Sequence, residues 1–162
     1  MNKMDSLDQL AAEVGAALKA KGWLLATAES CTGGGIGEAI TCIAGSSHWY
    51  ERGFITYSNH AKQEMLGVSP QTILQFGAVS EETAREMVRG ALEHSRANIA
   101  VSVTGIAGPD GGSALKPVGT VCIAWMVKDA PPYAKTFHFD GSRAEVRMLS
   151  IVSALQQLKG LT

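Results

Sequence analysis

The sequence predicts an α/β protein, a three-layer α/β/α sandwich on a mixed, mainly parallel sheet. Apolar segments of strand length alternate with amphipathic helical segments through the first two thirds of the chain, as in βαβ units. Two more strand-like segments then follow one another near the C-terminus and predict a hairpin. With 162 residues, of which 46% are hydrophobic, residues 1–162 are expected to form a single domain with a substantial core.

The first half of the chain alternates helix and strand. Residues 6–21 place their apolar side chains on one helical face, and Gly22 is a natural helix end. Residues 23–28 are too short and apolar for a surface helix, so they predict a buried strand that leads through a glycine-rich turn into a second helix. Residues 53–57 predict the next strand.

The second half predicts two helix starts, three strands and a capped terminal helix. Pro70 suits the first position of a helix, and Ser80 opens a longer helix with two glutamates in its first turn. Residues 98–104 are nearly all apolar, as in a strand that is covered on both faces. The hairpin strands and the last helix, which opens on a capping box, follow in order: residues 118–127, 133–139 and 142–160.

Charge and composition exclude several classes of protein. The formal net charge is −1, and no basic block indicates a nucleic-acid surface. No apolar run is long enough to span a membrane, and the charged N-terminus does not resemble a signal peptide, so a cytoplasmic location is expected. Cys31, Cys42 and Cys122 are too far apart for a disulfide framework or a zinc site. The four histidines lack metal-ligand spacing, so neither a metal nor a cofactor is expected.

Two polar segments follow predicted strands in the first half. Residues 29–35 end in three glycines before a helix, which predicts either an anion site or a tight turn capped by Ser30 or Thr32. In residues 56–62, Tyr57 and Lys62 can point into one cleft, where a lysine of lowered pKa would activate a serine. The alternative is that Lys62 is solvated and that Tyr57 only packs.

Three other features are candidates for binding or catalysis, and each also has a purely structural interpretation. The segment Gly45-Ser46-Ser47 is, taken alone, an ordinary end of a helix. Residues 104–112 carry many glycines after a buried strand, and their N–H groups or the Thr104 hydroxyl could hold a phosphate or an oxyanion. A flexible loop is the alternative. Arg143 opposes the dipole of the last helix, which a nearby anion would explain, although a solvated arginine is the commoner case.

Taken together, five motifs resemble the CinA C-terminal domain family. They lie in order along residues 7–158: TAESCTGG at 27–34, GSS at 45–47, YSN at 57–59 with Lys62, GAVS at 77–80, and TGIAGP at 104–109. Stand-alone members of that family look like nicotinamide mononucleotide deamidases, which convert the carboxamide to a carboxylate and release ammonia. The resemblance implies Ser47 as nucleophile with Tyr57 and Lys62 as the proton-transfer pair, and Ser30 as the competing nucleophile.

The resemblance also implies how the substrate is bound. The partner is expected to be a small nucleotide, and the protein is expected to be a homodimer. One alternative is a non-catalytic pyridine-nucleotide-binding module linked to competence or DNA damage, and another is an amidase for a different small amide. The expected binding residues are those of the polar segments and of the last helix: Thr32, Gly33, Gly34, Asn59, Thr104, Gly105 and Arg143.

Overall fold

The structure, a computed structural model, describes residues 3–162 of the chain. Their helices and strands follow the predicted alternation, and a short 3₁₀ turn at Ser46–His48 precedes the second strand. In chain order the elements are α1 (Lys3–Lys21), β1 (Leu25–Glu29), α2 (Gly35–Thr41), β2 (Tyr50–Ile55), α3 (Asn59–Leu66), α4 (Pro70–Phe76), α5 (Glu81–Glu93), β3 (Ile99–Gly105), β4 (Thr120–Val127), β5 (Tyr133–His138) and α6 (Arg143–Leu161).

The five strands form one mixed sheet in the order β2-β1-β3-β4-β5. Strand β1 pairs in parallel with β2 and with β3, whereas β3 with β4 and β4 with β5 are antiparallel. The predicted mixed sheet and the predicted hairpin of β4 and β5 are therefore confirmed. Parallel pairings make up half of the four, because the hairpin contributes its own antiparallel contact and a second one with β3.

Helices cover both faces of this sheet, which confirms the three layers. Alternate residues of β1 face opposite sides, so Leu25 packs into one core and Ala26 into the other. The first core takes its helical side chains from α1, α2 and α6, and the second takes them from α3 and α5. All five residues of β1 are buried, as expected for a strand with neighbours on both edges and layers on both faces.

Between β1 and α4 the structure differs from the sequence prediction. Strand β2 covers Tyr50–Ile55, three residues earlier than the predicted start, and the chain then enters helix α3, which the sequence analysis did not predict. The reason is local. The Ser58 side chain accepts a hydrogen bond from the Ala61 N–H and caps the helix, while Gly67 ends it with φ 69°. As a result Lys62 lies within a helix, and Thr56 and Tyr57 lie beyond the end of β2.

None of the described helices is long and apolar enough to cross a membrane. The histidines lie apart and are exposed, and two of them have partners within their own helix. His60 contacts the Glu64 carboxylate at 2.9 Å, and the His94 ring contacts the Gly90 carbonyl at 2.8 Å. Within residues 3–162, no group of three or more histidine, cysteine or acidic side chains is arranged to hold a metal ion.

Helix α3 is held against the protein by a close approach to α5. A Cβ on Gly90, in the last turn of α5, would overlap the backbone carbonyl of Leu66 at the end of α3. Leu66 is buried in the second core, so the backbone of α3 cannot move away without exposing that side chain. The absence of a side chain at Gly90 therefore sets the position of the helix that carries Lys62.

We predict that Gly90→Ala destabilises the protein. The added methyl forces α3 and α5 apart, and overpacking of this kind costs about 1–3 kcal/mol. Urea denaturation would measure the loss. Gly160→Ala in α6 is the matched control, because a Cβ there meets nothing within 4 Å. Equal stabilities of the two variants would contradict this account of the packing.

Candidate active site

A pocket of about 260 Å³ opens at the edge of the sheet where β1 and β3 end. The carboxyl ends of neighbouring parallel strands meet at such an edge, which is where α/β proteins bind ligands. A larger groove of about 680 Å³ runs between α1 and α6, and mostly apolar and uncharged side chains line it. The smaller pocket is the one lined by side chains that can take part in catalysis or bind a charged ligand. Its lining consists of Ser30, Cys31, Tyr57, Gly105, Ile106, Ala107, Gly108, Asp110, Gly111 and Arg143.

Behind the pocket wall, a buried lysine contacts Ser30. The Lys62 side chain is only 2% exposed, and its Nζ lies 3.0 Å from Ser30 Oγ and 3.1 Å from the Thr56 carbonyl oxygen. Burial lowers the pKa of Lys62, because the charged ammonium loses its hydration. No carboxylate pairs with Lys62 to reverse that effect among the described residues. A lysine in this state can accept a proton from a hydroxyl that is already within hydrogen-bond distance.

The turn that presents Ser30 is organised by the residue before it. Glu29 is 2% exposed, and its Oε1 accepts hydrogen bonds from the Thr32 hydroxyl at 2.6 Å and from the Ile36 N–H at 2.9 Å. Its Oε2 accepts a third from the Gly37 N–H at 3.1 Å. The carboxylate thus occupies the N-terminus of α2, where the helix dipole favours a negative charge. The negative group at the N-terminus of α2 is therefore a side chain of the protein itself.

Arg147 of helix α6 forms hydrogen bonds with the same turn. Its Nε donates to the Cys31 carbonyl at 3.2 Å, and its Nη2 donates to the Thr32 carbonyl at 3.0 Å. Cys31 lies next to Ser30, but burial raises the pKa of its thiol to about 11, so it is protonated at neutral pH. A thiol in that state is a weak nucleophile, and in this turn it is the Ser30 hydroxyl that contacts the Lys62 amine.

The mouth of the pocket is bridged by Tyr57 and Arg143. Tyr57 is 63% exposed, and its hydroxyl oxygen accepts a hydrogen bond from Arg143 Nη2 at 3.0 Å. Arg143 Nη1 donates to the Gly108 carbonyl at 2.8 Å. One guanidinium therefore joins the segment after β2, the loop after β3 and the start of α6. An arginine has five N–H donors, so three remain for a ligand.

The loop after β3 has a backbone shape that only glycine permits at Gly108. Its φ is +83°, and a Cβ at this position would overlap the Val118 side chain. Gly111 likewise has a left-handed φ of +96°. The loop therefore packs closely on itself instead of forming the flexible connector that the sequence analysis left open.

The structure brings together five of the predicted site residues. Ser30, Tyr57, Gly105 and Arg143 line the pocket, and Lys62 lies directly behind Ser30. Ser47 is not among them. It is exposed in the 3₁₀ turn before β2, whereas Thr56 and Lys62 follow the other end of that strand. Six residues of strand span about 20 Å, so Ser47 and Lys62 lie at opposite ends of β2.

The remaining predicted binding residues lie outside the pocket lining. The Thr32 hydroxyl donates to Glu29, and the Thr104 hydroxyl donates to the Ala78 carbonyl at 2.8 Å, so both are engaged within the protein. Gly33 and Gly34 form the left-handed turn before α2, with φ of +57° and +102°. Asn59 is the exposed first residue of α3.

Three residues at this site were not among the predicted site residues: Glu29 and Arg147, which hold the turn, and Asp110, which lines the pocket. Glu29 had a readable signal, because it is a lone acidic residue at the end of an apolar strand and precedes a glycine-rich helix start. Asp110 lies within a segment that was singled out for its glycines alone. Arg147 carries no signal in the sequence, since its contacts with Cys31 and Thr32 join segments more than 110 residues apart.

Comparison with known proteins gives a consistent match. The family model of the CinA C-terminal domain matches residues 7–162. The chain is 57% identical to the nicotinamide-nucleotide amidohydrolase PncC of Enterobacter agglomerans over 93% of this chain and 92% of that protein. It is 53% identical to the Escherichia coli K12 protein of the same name, over 94% and 92% of the two chains.

Solved structures agree with this match. The crystal structure of the competence/damage inducible protein CihA from Agrobacterium tumefaciens superposes with a TM-score of 0.93 at 47% identity, covering 96% of this chain and 94% of that one. A CinA superfamily protein from Escherichia coli also superposes with a TM-score of 0.93, at 36% identity, over 100% and 94% of the two chains. The sheet and its helices are thus shared with structures of that superfamily.

We predict that Glu29→Gln loosens the Ser30 turn and destabilises the protein. The amide nitrogen of glutamine cannot accept a hydrogen bond, so one donor of the turn is left buried without a partner, at about 1–3 kcal/mol. Urea denaturation would measure this. Glu38→Gln, an exposed change of the same kind in α2, is the control and should leave the free energy of unfolding nearly unchanged. A Glu29→Gln protein as stable as that control would refute the role of the carboxylate.

Proposed function

Because the chain belongs to the CinA C-terminal domain family, we propose that it is an amidohydrolase that converts nicotinamide mononucleotide to nicotinate mononucleotide and ammonia, with Ser30 as nucleophile. The observation that carries the catalytic assignment is the 3.0 Å contact between the buried Lys62 amine and Ser30 Oγ at the pocket wall. The substrate is inferred from the name of relatives 48–57% identical to the chain, which are nicotinamide-nucleotide amidohydrolases.

The first half of the proposed reaction forms an ester. Neutral Lys62 accepts the Ser30 hydroxyl proton while Ser30 Oγ bonds to the carboxamide carbon, and the carbonyl oxygen takes up the negative charge. When the tetrahedral intermediate collapses, the C–N bond breaks, and Lys62 returns its proton to the departing nitrogen. Ammonia leaves, and the nicotinoyl group remains on Ser30.

The second half restores the serine. Water attacks the ester carbon, Lys62 accepts one proton of the water, and the bond to Ser30 Oγ breaks. The proton on Lys62 then passes to Ser30 Oγ, and the carboxylic acid product loses its own proton to solvent and leaves as the carboxylate. One water is consumed, one ammonia is released, and the protein ends in its starting protonation state.

Tyr57 and Arg143 are proposed to hold the substrate at the mouth. Arg143 donates to the Tyr57 oxygen, so the phenolic proton points away from that contact and is available to a ligand. The remaining donors of Arg143 suit a phosphate, which a guanidinium binds through two parallel hydrogen bonds. Among the described residues, the Tyr57 hydroxyl is hydrogen-bonded to Arg143 and not to Lys62, so its proposed role is substrate binding and not proton relay.

Ser30 replaces Ser47 as the preferred nucleophile in this proposal. The supporting argument is distance, because a base must lie within hydrogen-bond reach of the proton that it removes. Lys62 meets this condition for Ser30, whereas Ser47 lies at the opposite end of β2. Ser30 is also nearly buried, so water competes less for its hydroxyl.

We predict that Ser30→Ala abolishes ammonia release from nicotinamide mononucleotide, whereas Ser47→Ala retains it. Loss of a serine nucleophile lowers kcat by at least about a thousandfold. Purified proteins would be assayed for ammonia with the mononucleotide, free nicotinamide and the dinucleotide as parallel substrates. The proposal expects release from the mononucleotide.

Each other outcome of that assay has a meaning. Activity lost only in Ser47→Ala would overturn the choice of nucleophile. Release from a different amide alone would change the substrate, and no release from any amide by folded wild-type protein would favour a nucleotide-binding module over an enzyme.

We also predict that kcat/KM rises with pH. Only the neutral form of Lys62 accepts a proton, and burial moves its pKa below the ordinary 10.5. The rise should therefore be centred below pH 10.5, and it should disappear in Lys62→Arg, because a guanidinium keeps its charge throughout. Initial rates across the pH range would test this, and a rate that falls as pH rises from neutrality would rule Lys62 out as the base.

A further inference from the structure

We propose that Asp110 pairs with the positively charged pyridinium ring of the substrate and makes the site selective for cationic, oxidised nicotinamide nucleotides. This inference rests on the proposed function and extends it to a residue for which neither the resemblance nor the catalytic argument gives a role. It names the class of nucleotide that the pocket prefers and the side chain that discriminates.

The pocket presents two opposite charges that do not neutralise each other. Asp110 and Arg143 are its charged lining residues. Among the residues that the structure describes, no lysine, arginine or histidine nitrogen lies within 4.0 Å of the Asp110 carboxylate, and no hydrogen bond engages it. Arg143 instead donates one hydrogen bond to the Gly108 carbonyl and one to the Tyr57 hydroxyl oxygen. Both charges are therefore available to a ligand that carries the opposite ones.

The loop holds Asp110 at the rim of the pocket. The Gly108 carbonyl, two residues earlier, is tied to Arg143, and the glycine itself packs against Val118. The Ile106 N–H donates to the Thr120 carbonyl at 2.9 Å, and the Gly119 N–H donates back to the Ile106 carbonyl at 2.8 Å. These hydrogen bonds hold the loop in one shape and attach it to Arg143, so Asp110 and Arg143 line the same pocket.

A nicotinamide mononucleotide matches this arrangement of charge. Its oxidised ring carries a positive charge on the nitrogen, and its phosphate is negative at the far side of the ribose. With the phosphate at Arg143 and the carboxamide at Ser30, the ring would occupy the pocket that Asp110 also lines. The reduced nucleotide has the same carboxamide, ribose and phosphate, but its ring is neutral. It therefore isolates the charge that Asp110 is proposed to recognise.

The test measures binding in a catalytically silent protein. Dissociation constants of the oxidised and reduced mononucleotides would be measured by calorimetry at low salt, in Ser30→Ala and in Ser30→Ala with Asp110→Asn. We expect the oxidised nucleotide to bind more tightly to the first protein, and this preference to fall about fivefold in the second, as an exposed ion pair would give. The control adds Asp129→Asn, which makes the same change at an exposed turn at the other end of β4, and it should keep the preference.

Two results would overturn the proposal. If Asp110→Asn weakens both nucleotides equally, the carboxylate contacts a group that they share, such as a ribose hydroxyl. If it changes neither, Asp110 plays no part in binding. The proposed function fails separately: wild-type protein that binds the oxidised nucleotide with the expected preference, but releases no ammonia, would retain the charge recognition and lose the hydrolysis.

Discussion

The candidate site depends above all on the buried carboxylate of Glu29. A negative charge inside a protein is tolerated only when hydrogen bonds replace its hydration, and Glu29 receives three, two of them from the N-terminus of α2. These bonds fix where α2 begins relative to the end of β1. Because Ser30 follows Glu29 directly, the same bonds fix the backbone from which the Ser30 hydroxyl extends towards Lys62. The anion that a glycine-rich helix start usually takes from a ligand is here supplied by the chain itself.

The second element of the site is an amine that the fold deprives of water. Lys62 lies on α3, and α3 stays in place because Leu66 is buried and Gly90 leaves room for its carbonyl. Among the described residues, the Lys62 Nζ forms hydrogen bonds with Ser30 Oγ and the Thr56 carbonyl oxygen, and no carboxylate pairs with it. Burial disfavours the ammonium form, so the packing of α3 against α5 acts on the protonation of the amine that contacts Ser30 in the turn after β1.

Arg143 and Arg147, one turn apart on α6, connect the layers at the pocket. Arg147 holds the turn after β1, and Arg143 holds the loop after β3 and the Tyr57 side chain. Each guanidinium donates to at least one backbone carbonyl of a loop, so main-chain hydrogen bonds attach both loops to α6. Among the described residues, the arrangement leaves the Asp110 carboxylate and part of the Arg143 guanidinium without a partner at the pocket rim.

Local pattern in the sequence was enough to determine the layers, the hairpin and the capping box of α6. It also located four of the five strands to within a few residues. Periodicity and caps depend on neighbours in the chain, so they can be read without the tertiary structure. The same pattern also identified the loops at which β1 and β3 end, and it singled out Ser30, Tyr57, Lys62, Gly105 and Arg143. Only the tertiary structure decided which serine meets the lysine. Ser30 and Ser47 are only seventeen positions apart in the sequence, but they lie at opposite ends of the parallel strands β1 and β2, and a hydroxyl is activated only by a base within hydrogen-bond reach.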